Sequence, residues 1–305
     1  MMGSRAAPAW KVGFTAMASP CQLMLEADSQ AAAERLAQPA IDEVRRIETA
    51  YSRYRADSIV SQINAAAGSG EWIELDPETA GLLDYAASLH AISGGLFDIT
   101  SGVLRQAWNF AVPRVPMRDE LEPLLALVGW QKVERQPGAV RLPLAGMQLD
   151  FGGFGKEYAA DRAAGLLRAQ GVQHGYVNLG GDMSVIGAQS SGEPWRIGIQ
   201  HPRDERHTIA SLGVARGGLA TSGDYERYFL LDGQRYCHIL DPRSGMPAAC
   251  WRTVSVLAPL AVTAGSACTI AMLLGDAAPE FLRQSGFAWL AQDADGHLHS
   301  EGLPR

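Results

Sequence analysis

The sequence predicts an α+β fold, a mixed α/β arrangement in which antiparallel or mixed sheets pack against helices. Two observations carry this. Hairpin signals recur, the strongest being Asp232-Gly233 between alternating apolar residues. Helical spacing of apolar residues also recurs between strands, as at Leu36, Ile41, Val44, Ile47 and Tyr51. The regular strand–helix alternation of a doubly wound parallel sheet is not seen, and no low-complexity linker divides the chain. Residues 1–305 therefore read as one domain.

Taken in order, the alternation from Phe14 to Leu25 predicts an opening strand, and the helix ending near Tyr51 follows it. Ser58 is placed to cap a short second helix reaching Asn64. Asp76-Pro77 opens the next helix: the carboxylate can accept from free N–H groups, and proline is preorganised for the first turn. Leu82, Leu83, Ala86 and Leu89 form its buried face, and Ser93-Gly94-Gly95 ends it. A helix from Asp119 to Val128 precedes short strands at 140–142 and 147–150. A further helix runs from Lys156 to Gln170, with Gly171 as its stop. Strands are expected at 175–179, 195–200, 212–215, 228–231 and 253–258. A helix over 263–274 and a closing strand over 287–292 complete the chain.

Composition narrows the function. A net charge of −7 without a Lys/Arg run argues against nucleic acid, which needs a clustered basic footprint. Cys21, Cys237, Cys250 and Cys268 have no zinc-site spacing and read as buried free thiols. The N-terminal residues carry no apolar run of signal-peptide length, and no later segment reads as transmembrane. A cytoplasmic protein is the expectation.

The richest segment is Thr221 to Gly245, TSGDYERYFLLDGQRYCHILDPRSG. A hairpin that fixes its register also fixes where its ends point, so Asp224, Tyr225, His238 and Asp241 are expected around one pocket edge. A carboxylate there could orient the His238 imidazole and raise its basicity, enough to take a proton from a hydroxyl. No G-x-S-x-G elbow accompanies it, which disfavours a serine hydrolase. Asp150-Phe-Gly-Gly-Phe-Gly-Lys156, between a strand and a helix, reads either as an anion site of backbone N–H groups with a lysine or as a plain tight turn. Asn178-Leu-Gly180-Gly181-Asp182 is a second glycine turn, in which Asp182 either faces a ligand or caps local backbone. Phe97, Asp98 and Thr100, followed by Trp108 and Phe110, could flank a planar ligand or simply cap a helix beside core aromatics.

Together these motifs resemble the ApbE family of FAD:protein FMN transferases. The likeness runs from the Ser52/Tyr54/Ser58/Asn64 stretch through Gly95-Leu-Phe97-Asp98-Ile-Thr100, the Asp150–Lys156 loop, Asn178–Asp182 and Ser222-Gly223-Asp224-Tyr225 to His238-Ile-Leu-Asp241-Pro. The resemblance implies an elongated cleft holding FAD. It also implies cleavage of the FAD pyrophosphate, and transfer of FMN through a phosphoester to a Thr or Ser of an acceptor protein with release of AMP. His238 would be the base, with Asp224 and Asp241 holding it or the polar network of the cleft. Asn178 and Asp182 would contact the nucleotide, and Tyr54, Phe97 and Tyr225 would line the flavin side.

One departure bears on the metal. Where the family reads T-A-D-A-x-x-T, this chain has Thr263-Ala-Gly265-Ser-Ala-Cys-Thr269, so the aspartate implied as a Mg²⁺ ligand is a glycine. Thr269 and the carbonyl of Gly155 remain as implied ligands. Mg²⁺ usually keeps at least one carboxylate, so its binding is expected to weaken. Glu157, where the family usually has glycine, is near enough to replace the acid, though it reads more simply as a surface helix glutamate. Met17-Ala-Ser also stands where the family tends to read M-G-T. Two functions follow: an FMN transferase with a rearranged metal site, using Glu157, Asp182 or the substrate's phosphates, or a flavin-binding relative that no longer transfers. A generic hydrolase is a third reading, which phosphoesterase assays would discriminate.

Overall fold

In the computed structural model, which describes residues 8–304, the chain opens with a hairpin. The segment Met1–Ala7, on which the absence of an export signal was read, lies outside the described residues. Strands β1 (Ala9–Ala16) and β2 (Ser19–Glu26) pair across Met17 and Ala18, both with positive φ. The expected single strand over Phe14 to Leu25 is thus two. No glycine or asparagine marks the turn; it is held instead by Met17 N–H donating to Glu48 Oε1 at 2.7 Å.

The first half of the chain supplies α1 (Gln30–Tyr51), α2 (Ile59–Ala65), β3 (Ile73–Glu74) and α3 (Pro77–Ile92). The two caps read from sequence are present. Ser58 accepts from Ser61 N–H at 3.0 Å, and Asp76 from Thr79 N–H at 2.9 Å. A 3₁₀ helix at Ile99–Gln106 and α4 (Arg118–Leu125) lead to β4 (Glu134–Gln136) and β5 (Ala139–Arg141). The strand expected at 147–150 is extended but unladdered. Asn64 takes the place of a strand partner, accepting from Leu149 N–H at 2.6 Å and donating to Leu149 O at 3.0 Å.

The second half runs through α5 (Gly155–Ala169), β6 (Gly175–Leu179), β7 (Asp182–Gly187), β8 (Trp195–His201), β9 (Asp204–Val214) and β10 (Gly217–Gly223). The hairpin β11 (Tyr228–Leu231) and β12 (Gln234–Cys237) turns at Asp232-Gly233 as expected. Then come β13 (Trp251–Ala258), α6 (Ala261–Leu274), α7 (Ala278–Ser285), β14 (Ala288–Asp293) and β15 (Leu298–Glu301).

Eight strands form one antiparallel sheet in the order β1-β2-β6-β7-β10-β13-β14-β15. Strand alternation divides its residues between two faces. Leu23, Leu25, Val177 and Leu179 meet the alanine-rich faces of α1 and α5 (Ala33, Ala37, Ala160, Ala164), while Met183, Val185 and Leu219 meet the β8–β9 ribbon at Trp195 and Leu212. Helix α6 crosses β10 so closely that a Cβ on Gly218 would lie 2.0 Å from Ala261 N. That need for small residues is why β10, GGLATSG, carries little strand signal.

The run Ala261–Ser285 is apolar and long enough to cross a membrane on composition alone, contrary to the sequence expectation. It breaks at Gly275 (φ 57°), and Ala264, Ala267, Cys268, Ala271 and Met272 are core residues of this fold. Cys250 is exposed, so only Cys21, Cys237 and Cys268 fit the reading of buried thiols.

Candidate functional site

A cleft with a cavity volume of about 190 Å³ lies where the loop before α5, the β6–β7 turn, the end of β10 and the segment after β12 converge, facing Leu96–Ile99. The loop takes its shape from Asp150, which accepts from Gly152 N–H at 2.8 Å and from Arg53 Nη1 at 2.9 Å. Phe97 packs over Gly153, where a Cβ would come within 2.8 Å of the ring, so a side chain here would displace Phe97. Helix α5 then starts from Phe154 with no side-chain cap; Gly155 N–H is taken by Phe151 O at 2.8 Å, and the next two residues, Lys156 and Glu157, line the cleft.

Lys156 Nζ sits 2.7 Å from Asp182 Oδ2 at this helix start. Burial pulls the lysine's pKa down, but Asp182 and Glu157 outweigh it, and the ammonium is held above its ordinary value. Asp182 therefore faces Lys156 instead of capping its own turn. The turn is closed by Asn178 Oδ1, which accepts from Gly181 N–H at 2.8 Å, with Gly180 and Gly181 both at positive φ. Gly180 lines the cleft, whereas Asn178 and Gly181 shape it.

His238 reaches the cleft as expected, its N–H bonded to Arg227 O at 3.0 Å. Its Nδ1 is buried and has no hydrogen-bond partner among the described residues. Burial, then the charges of Arg105 and Arg227, push its pKa down to about 4, so the imidazole is neutral.

The two carboxylates expected to orient it do not. Asp224 is held by Arg203 through two 2.6 Å bonds, and Asp241 by Arg243 N–H and Nη2, each at 2.8 Å. Arg203 comes from the β8–β9 turn and Arg243 from the turn of Asp241 itself, and neither carboxylate is a hydrogen-bond partner of the histidine.

Other expected residues divide similarly. Phe97, Asp98, Ser222, Gly223 and Thr269 line the cleft, and Ser222 Oγ lies 3.4 Å from Thr269 Oγ1. Asp98 and Thr100 act chiefly as structure. Asp98 caps the 3₁₀ helix through Thr100 N–H at 2.8 Å, and Thr100 Oγ1 accepts from Gly129 N–H at 2.7 Å. Tyr225 lies behind the wall, with its ring where a Cβ on Gly223 would be. Tyr54 is 77% exposed and outside the cleft. Trp108 stacks on Phe110 and on Phe229, and neither Trp108 nor Phe110 is among the residues lining the cleft. Gly155 is the first residue of α5 and is not part of the wall.

Sequence reasoning missed Arg105, which stands in no motif, and gave no role to Glu226, which closes the Ser222–Glu226 motif; both are in the wall. It also misplaced Glu157, which is only 7% exposed. Its Oε2 is buried and unpartnered among the described residues, an oxygen free to meet a hard cation.

A cleft that pairs an open helix start and a lysine with a neutral proton acceptor suits a transferase working on phosphate esters. The chain belongs to the ApbE family, whose model matches residues 17–290. It is 30% identical to the FAD:protein FMN transferase of Salmonella typhimurium over 298 residues, covering 90% of this chain and 85% of that one. To a Klebsiella pneumoniae FAD:protein FMN transferase it is 35% identical, covering 76% and 71%. Among solved structures, an ApbE protein from Thermotoga maritima superposes with a TM-score of 0.88 at 30% identity, covering 96% of this chain and 97% of that one. The flavinyl transferase ApbE of Pseudomonas stutzeri gives 0.84 at 29% identity, covering 98% and 96%.

Proposed function

We propose that this chain is an FAD:protein FMN transferase, taking FAD as substrate and placing FMN on a Thr or Ser hydroxyl of an acceptor protein. The observation that carries this is the meeting, in one cleft, of the α5 start with Lys156 and the neutral His238. Lys156 and the free N–H groups receive the pyrophosphate, whose charge suits a helix N-terminus. The acceptor oxygen attacks the flavin-side phosphorus, and the bond to the bridging oxygen breaks. AMP leaves, and the hydroxyl proton passes to the His238 imidazole. A divalent cation bound beside Thr269 would supply charge neutralisation on the pyrophosphate.

Phe97, packed on Gly153, gives the cleft a flat apolar wall suited to the isoalloxazine. The second reading, a flavin binder without transfer, rests on Gly265 alone. The test is FAD with a Thr-bearing acceptor domain, read as covalent fluorescent flavin on a denaturing gel. Transfer that disappears in His238→Gln supports the proposal; FAD binding without transfer by the native chain would leave the binder reading.

A further inference from the structure

The cleft holds a carboxylate that its protein surroundings do not satisfy. Glu157, in the first turn of α5, is buried, and its Oε2 meets no donor among the described residues. Its other oxygen points at α6. A Cβ built on Gly265 would stand 2.3 Å from Glu157 Oε1 and 2.6 Å from its Cγ. The two positions thus compete for one volume, and a side chain at 265 is incompatible with the carboxylate as it lies.

The helices cannot easily separate to relieve this. Four residues along α5, Asp161 accepts from Ala261 N–H at 3.0 Å and Val262 N–H at 2.9 Å, pinning the start of α6. Tyr85 OH lies 2.9 Å from Ser266 Oγ on the next turn.

Glu157 also shares its wall with Asp182, which already has Lys156, and with Thr269. Lys156 is paired with Asp182, while Glu157 has no ion-pair partner among the described residues, and an unpaired buried carboxylate is costly to ionise. An all-oxygen set with a free carboxylate oxygen is the chemistry of a hard divalent cation.

We propose that Glu157 is the carboxylate ligand of a divalent cation in this cleft, reaching it from α5 through the space that glycine at 265 leaves on α6. The resemblance implies an aspartate at 265 and a glycine after Lys156; here the acid stands on α5 and the glycine on α6. The proposal deepens the transferase reading and rests on it for the cation's purpose, but not for the cation's binding.

Mn²⁺ binding to the full chain, followed by the electron paramagnetic resonance of free Mn²⁺ without FAD, tests it. The native chain is expected to bind, and Glu157→Gln to weaken binding by at least about tenfold. The exchanged pair Glu157→Gly with Gly265→Asp should recover most of the affinity, and it remains informative should Glu157→Gln fold poorly. Gly265→Asp alone should lower the Tm, because the new carboxylate enters occupied space. Native affinity retained in Glu157→Gln, or no Mn²⁺ bound by the native chain at millimolar concentration, would overturn the assignment. FAD fluorescence quenching by the native chain in EDTA is read separately: failure there defeats the flavin reading while leaving the Mn²⁺ result to stand.

Discussion

Arg203 and Asp224 form a two-pronged ion pair, Nη1 to Oδ1 and Nη2 to Oδ2, each at 2.6 Å. Arg235 stands 3.8 Å from the same carboxylate. This fastens the β8–β9 turn to the end of β10 and turns Asp224 away from His238. Asp224→Asn is therefore expected to act on stability, costing about 1–3 kcal/mol because a charge-assisted pair is broken. That corresponds to a fall of several degrees in Tm. The acidic limb of the activity profile should stay where it is. A shifted limb with unchanged Tm would return Asp224 to the chemistry.

Lys156 is paired with Asp182 yet one-third exposed toward the cleft, so it can offer charge to a second anion. Lys156→Met should weaken FAD binding by at least about tenfold, the scale of one charge-assisted contact, as measured by fluorescence quenching. Riboflavin, which has no phosphate, should show little change. Equal losses for both ligands would mean that the lysine shapes the cleft without reading the phosphates.

How much of this was legible in the sequence follows from where each signal resides. Caps at Ser58 and Asp76 and the Asp232-Gly233 turn depend on neighbours in the chain, and all three are present. The β1–β2 turn was not legible, because its support is Glu48, distant in sequence. Strand β10 was obscured because α6 demands glycine and alanine there. At the site, Lys156, Asp182 and His238 stand where their motifs place them. Asp224 and Asp241 were expected to meet His238 at the hairpin ends, but they answer to Arg203 and Arg243 in space. Glu157 looked like a surface residue because the glycine that receives it lies on another helix.

Asp161 is the cap that α6 lacks locally. Leu260 offers no side-chain oxygen, and the two N–H groups bond to Asp161 across the helix interface. Removing a cap costs about 0.5–2 kcal/mol. Asp161→Ala should sit at the upper end, since buried N–H groups are left unpaired. Asp161→Asn keeps an acceptor and should lose less. Differential scanning calorimetry ranks the three; equal Tm values would show that α6 is held by packing alone.

His238 sets the expected response to pH. In the folded protein burial, with Arg105 and Arg227 beside it, holds its pKa near 4, below the ordinary 6.5. The unfolded chain takes up a proton as pH falls through 6.5 while the folded one resists. Its contribution to stability is whole above 6.5 and is lost as pH falls toward 4. Pyrophosphate entering beside Lys156 would offset the cations that depress the imidazole. The acidic limb of kcat, which reports the bound complex, should therefore lie at higher pH than that of kcat/KM, which reports free enzyme. His238→Gln should abolish transfer and weaken the loss of Tm between pH 6.5 and 4. A variant that keeps both the native limb and the native Tm profile would remove His238 from the role of base.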